Sequence, residues 1–371
     1  MSDLRLGARL PLLALAMLSL IGGVLAGLSR LAWEVPAAAV AATGWHGVLM
    51  ISAFFGAVIS LERAVALARG WAYVAPAGAG LAGVVLLAGA PPMSAQILLI
   101  VASATLVAGS GQVLRRLVAP FTIVLGIGAL CWLIGNLAWA ATGVIAVAVP
   151  WWLAFLVLII AGERLELTRF LPTPAAAQRF FFVVVGTILA GALASFWVQG
   201  AGLRVFGAGL LALASWLLRY DIARLNARQR GLTRFIAICL LCGYGWLFLA
   251  GLLGLAGGFL PGHPWRDATL HALGLGFVFS MVFGHAPIIV PAVTRLKIPY
   301  HPAFYLPLLA LHASLALRVA SGMGGDFALR REGGLANALA LLLFIATMVT
   351  SIVVGRRKSA SRAADASGRK S

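Results

Sequence analysis

The chain is 371 residues long, 62% hydrophobic and only 10% charged, with a formal net charge of +18 and a mean hydropathy of +1.02. So little charge over this length excludes a water-soluble fold and requires lipid as the solvent. The excess of basic residues does not mark a nucleic-acid-binding protein, because they are scattered among short polar segments rather than gathered in a patch. A transmembrane β-barrel is excluded too, since the apolar runs far exceed the roughly ten residues of a barrel strand and do not alternate.

A crossing helix needs about 20 predominantly apolar residues for a core of roughly 30 Å. In chain order the sequence predicts such spans at 8–28, 44–66, 72–89, 94–114, 119–141, 147–168, 179–199, 203–219, 233–257, 268–290, 302–320 and 334–355. The expected fold is therefore all-α: a polytopic membrane bundle of about twelve helices forming one domain over 1–355. The first stretch is long enough to be a span rather than a cleavable signal. The 43 glycines suit close helix packing in a bilayer. Residues 356–371, rich in Ser, Ala and basic side chains, are too polar to span and read as a disordered tail.

Arg and Lys set the orientation, because they are retained on the cytoplasmic side. With the N-terminus inside, the inner segments hold Arg5, Arg69, Arg115, Arg116, Arg224, Arg228 and Lys297 among others, whereas the outer loops hold Arg30, Arg204, Arg266, Arg330 and Arg331. An even number of spans keeps this alternation, so both termini are expected in the cytoplasm of a bacterial inner-membrane protein. The same basic segments are expected to contact anionic lipid headgroups.

Within the spans the ionisable and polar residues carry the information, because each is costly in lipid. Glu62-Arg63 ends the second span and Glu163-Arg164 the sixth, in similar contexts that suggest interfacial ion pairs or, alternatively, proton access points. Asn136 suits an interhelical hydrogen bond. Trp151, Trp152 and Trp265 suit the outer aromatic belt. Cys239 and Cys242 form a C-x-x-C without a following histidine and, with Cys131, read as small packing residues.

The six histidines are the strongest functional signal. His46 and His271 lie within about one turn of the outer ends of the second and tenth spans, which run in the same direction. Two imidazoles at one depth on two helices are what a bis-histidine haem requires. His285, fourteen residues after His271, is expected about 21 Å further along the helix and only about 40° around it, on the same face. Gly274, Gly276 and Gly284 leave room either for a flat macrocycle or for another helix. His312 near midplane, or His301 at the inner start of the eleventh span, could complete a second metal site with His285; His301 otherwise reads as interfacial. His263 is placed in an outer loop.

At these residues the chain resembles a known family. Asp267-Ala-Thr-Leu-His271, Met281-Val-Phe-Gly-His285 and Leu311-His312 through Arg318, together with His46-Gly47 and Phe54-Phe55-Gly56, are similar to the histidine-bearing regions of the NnrS family. That resemblance implies a twelve-span bacterial membrane protein linked to nitric oxide metabolism and associated with haem and copper. A more distant similarity is to the catalytic subunit of haem-copper oxidases, which ligates its low-spin haem from the second and tenth spans. The sixth and seventh spans here carry no histidine, and no paired H-x-H stands in the tenth, so a dinuclear reducing centre is not implied.

The function expected from sequence is binding of b-type haem by His46 and His271, with copper or a second haem at His285, His312 or His301. The work would be electron transfer with a redox partner or binding of a diatomic gas such as nitric oxide. No residue is assigned a catalytic role. Two other classes compete: a twelve-span small-molecule transporter, which predicts repeats and broken helices, and a non-catalytic assembly or sensing module in which the histidines only pack.

Overall fold

A computed structural model of the chain describes residues 3–169, 171 and 174–368. It is all-helical among those residues, with twelve helices long and apolar enough to cross a membrane. They are α1 (Leu6–Ser29), α2 (Val48–Leu67), α3 (Gly70–Leu87), α4 (Pro92–Arg116), α5 (Pro120–Thr142), α6 (Ile145–Thr168), α7 (Ala175–Ala194), α8 (Gln199–Tyr220), α9 (Gly231–Leu255), α10 (Arg266–Thr294) and α11 (Pro302–Gly324), followed by α12 (Phe327–Gly368). Proline at the first turn of α4, α5 and the turn entering α11 starts those helices where its missing N–H has no intrahelical use. Gly143 and Gly325 end α5 and α11 in the left-handed conformation that a side chain disfavours. Taken as twelve successive crossings, these helices put the start of α1 and the far end of the α12 span on one face, here called the terminal face.

Burial sorts the helices into a centre and a rim. The membrane-length windows of α6, α2 and α10 are 72%, 67% and 61% buried, against 22% for α4 and α12. The central position of α6 corrects the expectation for its tryptophans. Trp151 and Trp152 are buried rather than part of a lipid-facing belt, because a helix that is apolar all round is enclosed by others.

Polar groups tie this centre together. The Asn136 side chain accepts from Ser52 Oγ and Trp152 Nε1, both at 2.9 Å, and donates to Leu99 O and Ser103 Oγ, both at 3.1 Å. Trp132 Nε1 donates to Ser52 Oγ at 2.7 Å. One fully buried amide thus joins α2, α4, α5 and α6 with every hydrogen-bonding group used. Toward the terminal face Arg63 pairs with Glu163, bridging α2 and α6. Arg164 pairs with Asp221 just beyond α8, with both side chains almost wholly buried.

The last helix departs from expectation at its start. α12 starts at Phe327, so Arg330 and Arg331 lie in its first turns rather than in a loop. The same helix continues to Gly368, and the rest of the polar segment 356–371 lies outside the described residues; that segment contains no proline and is rich in alanine, the best helix former.

Candidate functional site

Two central helices, α2 just after His46 and α10 with His271, share a departure from α geometry. Val48–Phe55 of α2 and Ala272–Phe279 of α10 are π-helical, each eight residues long. Such wide i→i+5 turns are uncommon and concentrate at functional sites. His46 lies two residues before the first segment and His271 immediately before the second. Both segments end in aromatics that meet: Phe279 contacts Phe54 and Phe55, at centroid distances of 6.1 and 5.2 Å.

Between them lies a cavity of about 350 Å³, within the range of small-ligand sites. His46 and His271 line it with Phe55 and Phe279, while Gly47 and Gly274 border it with no side chain. The two imidazole centroids are 6.1 Å apart and their planes are inclined by 23°. Imidazole bonds a metal at about 2.0 Å with its centroid about 1 Å further back, so two rings ligating one ion from opposite sides stand about 6 Å apart.

The hydrogen bonds select the tautomer. His46 Nδ1 donates to Gly23 O at 2.7 Å, and His271 Nδ1 donates to Asp267 O at 2.8 Å. A carbonyl oxygen only accepts, so each Nδ1 carries the proton and each Nε2 keeps its lone pair. A carbonyl accepting from the far ring nitrogen in this way is what orients a metal-ligating histidine. Asp267 Oδ1 lies 3.3 Å from the His271 Nδ1. Both Asp267 oxygens also accept from Arg318 of α11, at 2.9 and 2.8 Å, in a bidentate pair that holds the start of α10. Gly27 of α1 makes room for His46, since a Cβ there would lie 2.8 Å from the imidazole.

The other histidines fall elsewhere. His285 does not line the cavity; its Nδ1 donates to Met281 O at 2.8 Å. The expectation that it shares a face with His271 assumed 100° per residue. The segment Ala272–Phe279 between them is π-helical, and there each residue turns through less than 100°. His312 Nδ1 accepts from Trp246 Nε1 at 2.9 Å, so its one lone pair is used and the protonated Nε2 is buried without a partner. His301 is exposed, and its Nδ1 accepts from the Ala303 N–H at 3.1 Å as a turn cap. No hydrogen bond or ring contact joins His285, His312 and His301 among the described residues, and no group of three or more His, Cys, Asp or Glu is arranged to hold a metal. The three cysteines are free.

Gly274, Gly276 and Gly284 play different parts. A Cβ on Gly274 would meet nothing within 4 Å, whereas on Gly276 it would lie 2.4 Å from Trp246 and on Gly284 3.1 Å from Cys239. Only Gly274 leaves space for a ligand; the other two let α9 approach.

Sequence reasoning missed the π segments, the Asp267–Arg318 pair and three arginines, Arg30, Arg318 and Arg330, on the cavity wall. An acidic residue one turn before His271 was the available signal for the first of these partners.

Fold and site define a multi-pass membrane helix bundle with a bis-imidazole cavity between its central helices. The chain belongs to the family described as "Domain of unknown function (DUF8744)", whose profile matches residues 9–353. No curated protein matches it in sequence.

Proposed function

We propose that this protein binds one b-type haem between His46 and His271, in a bacterial inner membrane with both termini in the cytoplasm. The observation that carries the reading is the pair of Nε2-free imidazoles 6.1 Å apart across a cavity. The donor set favours haem over a bare ion: two imidazoles leave a tetrahedral site half empty, whereas a porphyrin brings its own four nitrogens and asks the protein only for axial ligands.

His46 and His271 would hold the iron, and the Gly23 and Asp267 carbonyls keep both imidazoles in the ligating tautomer. Phe55 and Phe279 line the cavity beside them and would give a macrocycle an apolar contact. Bound haem supplies one-electron chemistry and an iron on which a diatomic gas can compete with an imidazole for coordination. With the NnrS resemblance of the histidine segments, this supports a role in nitric oxide metabolism or stress, through electron transfer with a redox partner or through gas binding. Copper draws less support, since His312 is committed to Trp246 and His301 to a turn cap.

An absorption spectrum and pyridine haemochrome assay of the purified protein test this reading. A low-spin Soret spectrum is expected in the wild type, and loss of at least nine-tenths of the haem in His46→Ala and in His271→Ala. A protein that stays colourless after titration with haemin, yet is stabilised by a small polar solute, would support a transporter instead.

A further inference from the structure

The cavity wall carries more positive charge than its own residues neutralise. Arg30, Arg318 and Arg330 line it against a single carboxylate, Asp267. Arg318 is consumed by that aspartate. Among the described residues neither Arg30 nor Arg330 forms an ion pair with a carboxylate, although Arg330 is near enough to Asp267 to feel its charge, and Arg330 Nε is buried without a hydrogen bond. Arg30 is exposed and Arg330 half-buried, so two cations without an ion-pair partner stand at one end of an otherwise mostly apolar cavity, and the buried Arg330 Nε is left without an acceptor.

Their placement is built rather than incidental. The turn after α1 is clipped to the start of α12. Trp33 Nε1 donates to Arg331 O at 3.1 Å, and Arg331 stacks on the Trp33 ring at 3.8 Å. Arg331 also donates to Ala32 O at 3.4 Å, and Ala32 takes φ 58°, a left-handed conformation costing a non-glycine residue about 1 kcal/mol. Gly334 makes the seat, since a Cβ there would lie 2.2 Å from the Leu31 side chain. The clip sets Arg30, at the end of α1, and Arg330, in the first turn of α12, on one cavity wall.

We infer that Arg30 and Arg330 anchor two carboxylate groups of the cavity ligand, which makes the site selective for a dianionic amphiphile presented acid-first at the face opposite the termini. The inference rests on the haem reading, in which the two propionates are those carboxylates. It adds that the arginines fix the ligand's direction and that the histidines alone do not account for its affinity. Each guanidinium–carboxylate pair is charge-assisted, and its loss is expected to weaken binding roughly tenfold.

The test is titration of the haem-stripped full-length protein in detergent with haemin and, separately, with haemin dimethyl ester, followed at the Soret band. Wild type, Arg30→Gln/Arg330→Gln and Arg30→Lys/Arg330→Lys are compared. Taking the ratio of wild type to variant for each ligand cancels partition into micelles. The double Gln variant is expected to weaken haemin binding about a hundredfold and to leave the ester unchanged; the Lys variant, which keeps both charges, should recover most of the haemin affinity. Equal losses for acid and ester, or no loss for either, overturn the anchor while leaving haem binding intact. If the wild type gives no Soret shift with either ligand, the haem reading falls and the anchor with it.

Discussion

Asn136 shows how much a single polar residue can organise inside lipid. Its amide receives two N–H or O–H groups and donates two, so replacing it orphans Trp152 Nε1 and frees Ser52 and Ser103 at once. Asn136→Ala is expected to cost about 2 kcal/mol, less than four independent bonds would sum to because the unfolded chain in a bilayer also finds partners. Denaturation of the micellar protein with a graded anionic detergent measures it, and an unmoved midpoint would remove the network from the account of stability. Asn136 was legible from sequence as an interhelical donor, and so were His46 and His271 as partners in depth. Arg318 was not, because nothing in a linear pattern shows that a cation on α11 faces an aspartate 51 positions earlier.

At the scale of elements, hydropathy located the helices and missed their internal geometry. Period-3.6 reasoning has no means of detecting the π segments, so the angle expected from sequence between His271 and His285 does not carry over to α10. It also ended the outer loop too late: Phe327 through Glu332 is polar enough to resemble a loop, yet supplies the first turns of α12 and with them Arg330. The glycines of α10 give a paired test. Gly274→Leu extends into open cavity and is expected to leave the denaturation midpoint within about 0.5 kcal/mol of wild type while abolishing haem binding. Gly276→Ala meets Trp246, the residue that holds His312, and is expected to destabilise by about 2 kcal/mol. If both variants lost haem and stability together, the cavity would not be the ligand's place.

For the whole molecule, direction in the membrane decides which compartment the cavity mouth addresses. The segment between α8 and α9 holds Arg224, Arg228 and Arg230 on the terminal face, whereas His263, between α9 and α10, and Arg266, the first residue of α10, lie on the face of Arg30 and Arg330. Retention of positive charge in the cytoplasm favours the first arrangement inside, even though Arg30, Arg266, Arg330 and Arg331 gather on the opposite side. That second cluster is the exception to be explained, and the anchor explains part of it: Arg30 and Arg330 serve a ligand rather than topology. Single cysteines at Arg228→Cys and His263→Cys, in a background with Cys131, Cys239 and Cys242 replaced by alanine, separate the two faces. A membrane-impermeant maleimide is expected to label position 263 in intact cells and position 228 only after permeabilisation. The reverse pattern would turn the cavity mouth toward the cytoplasm, and a redox partner or gas would then have to reach the two imidazoles from inside the cell.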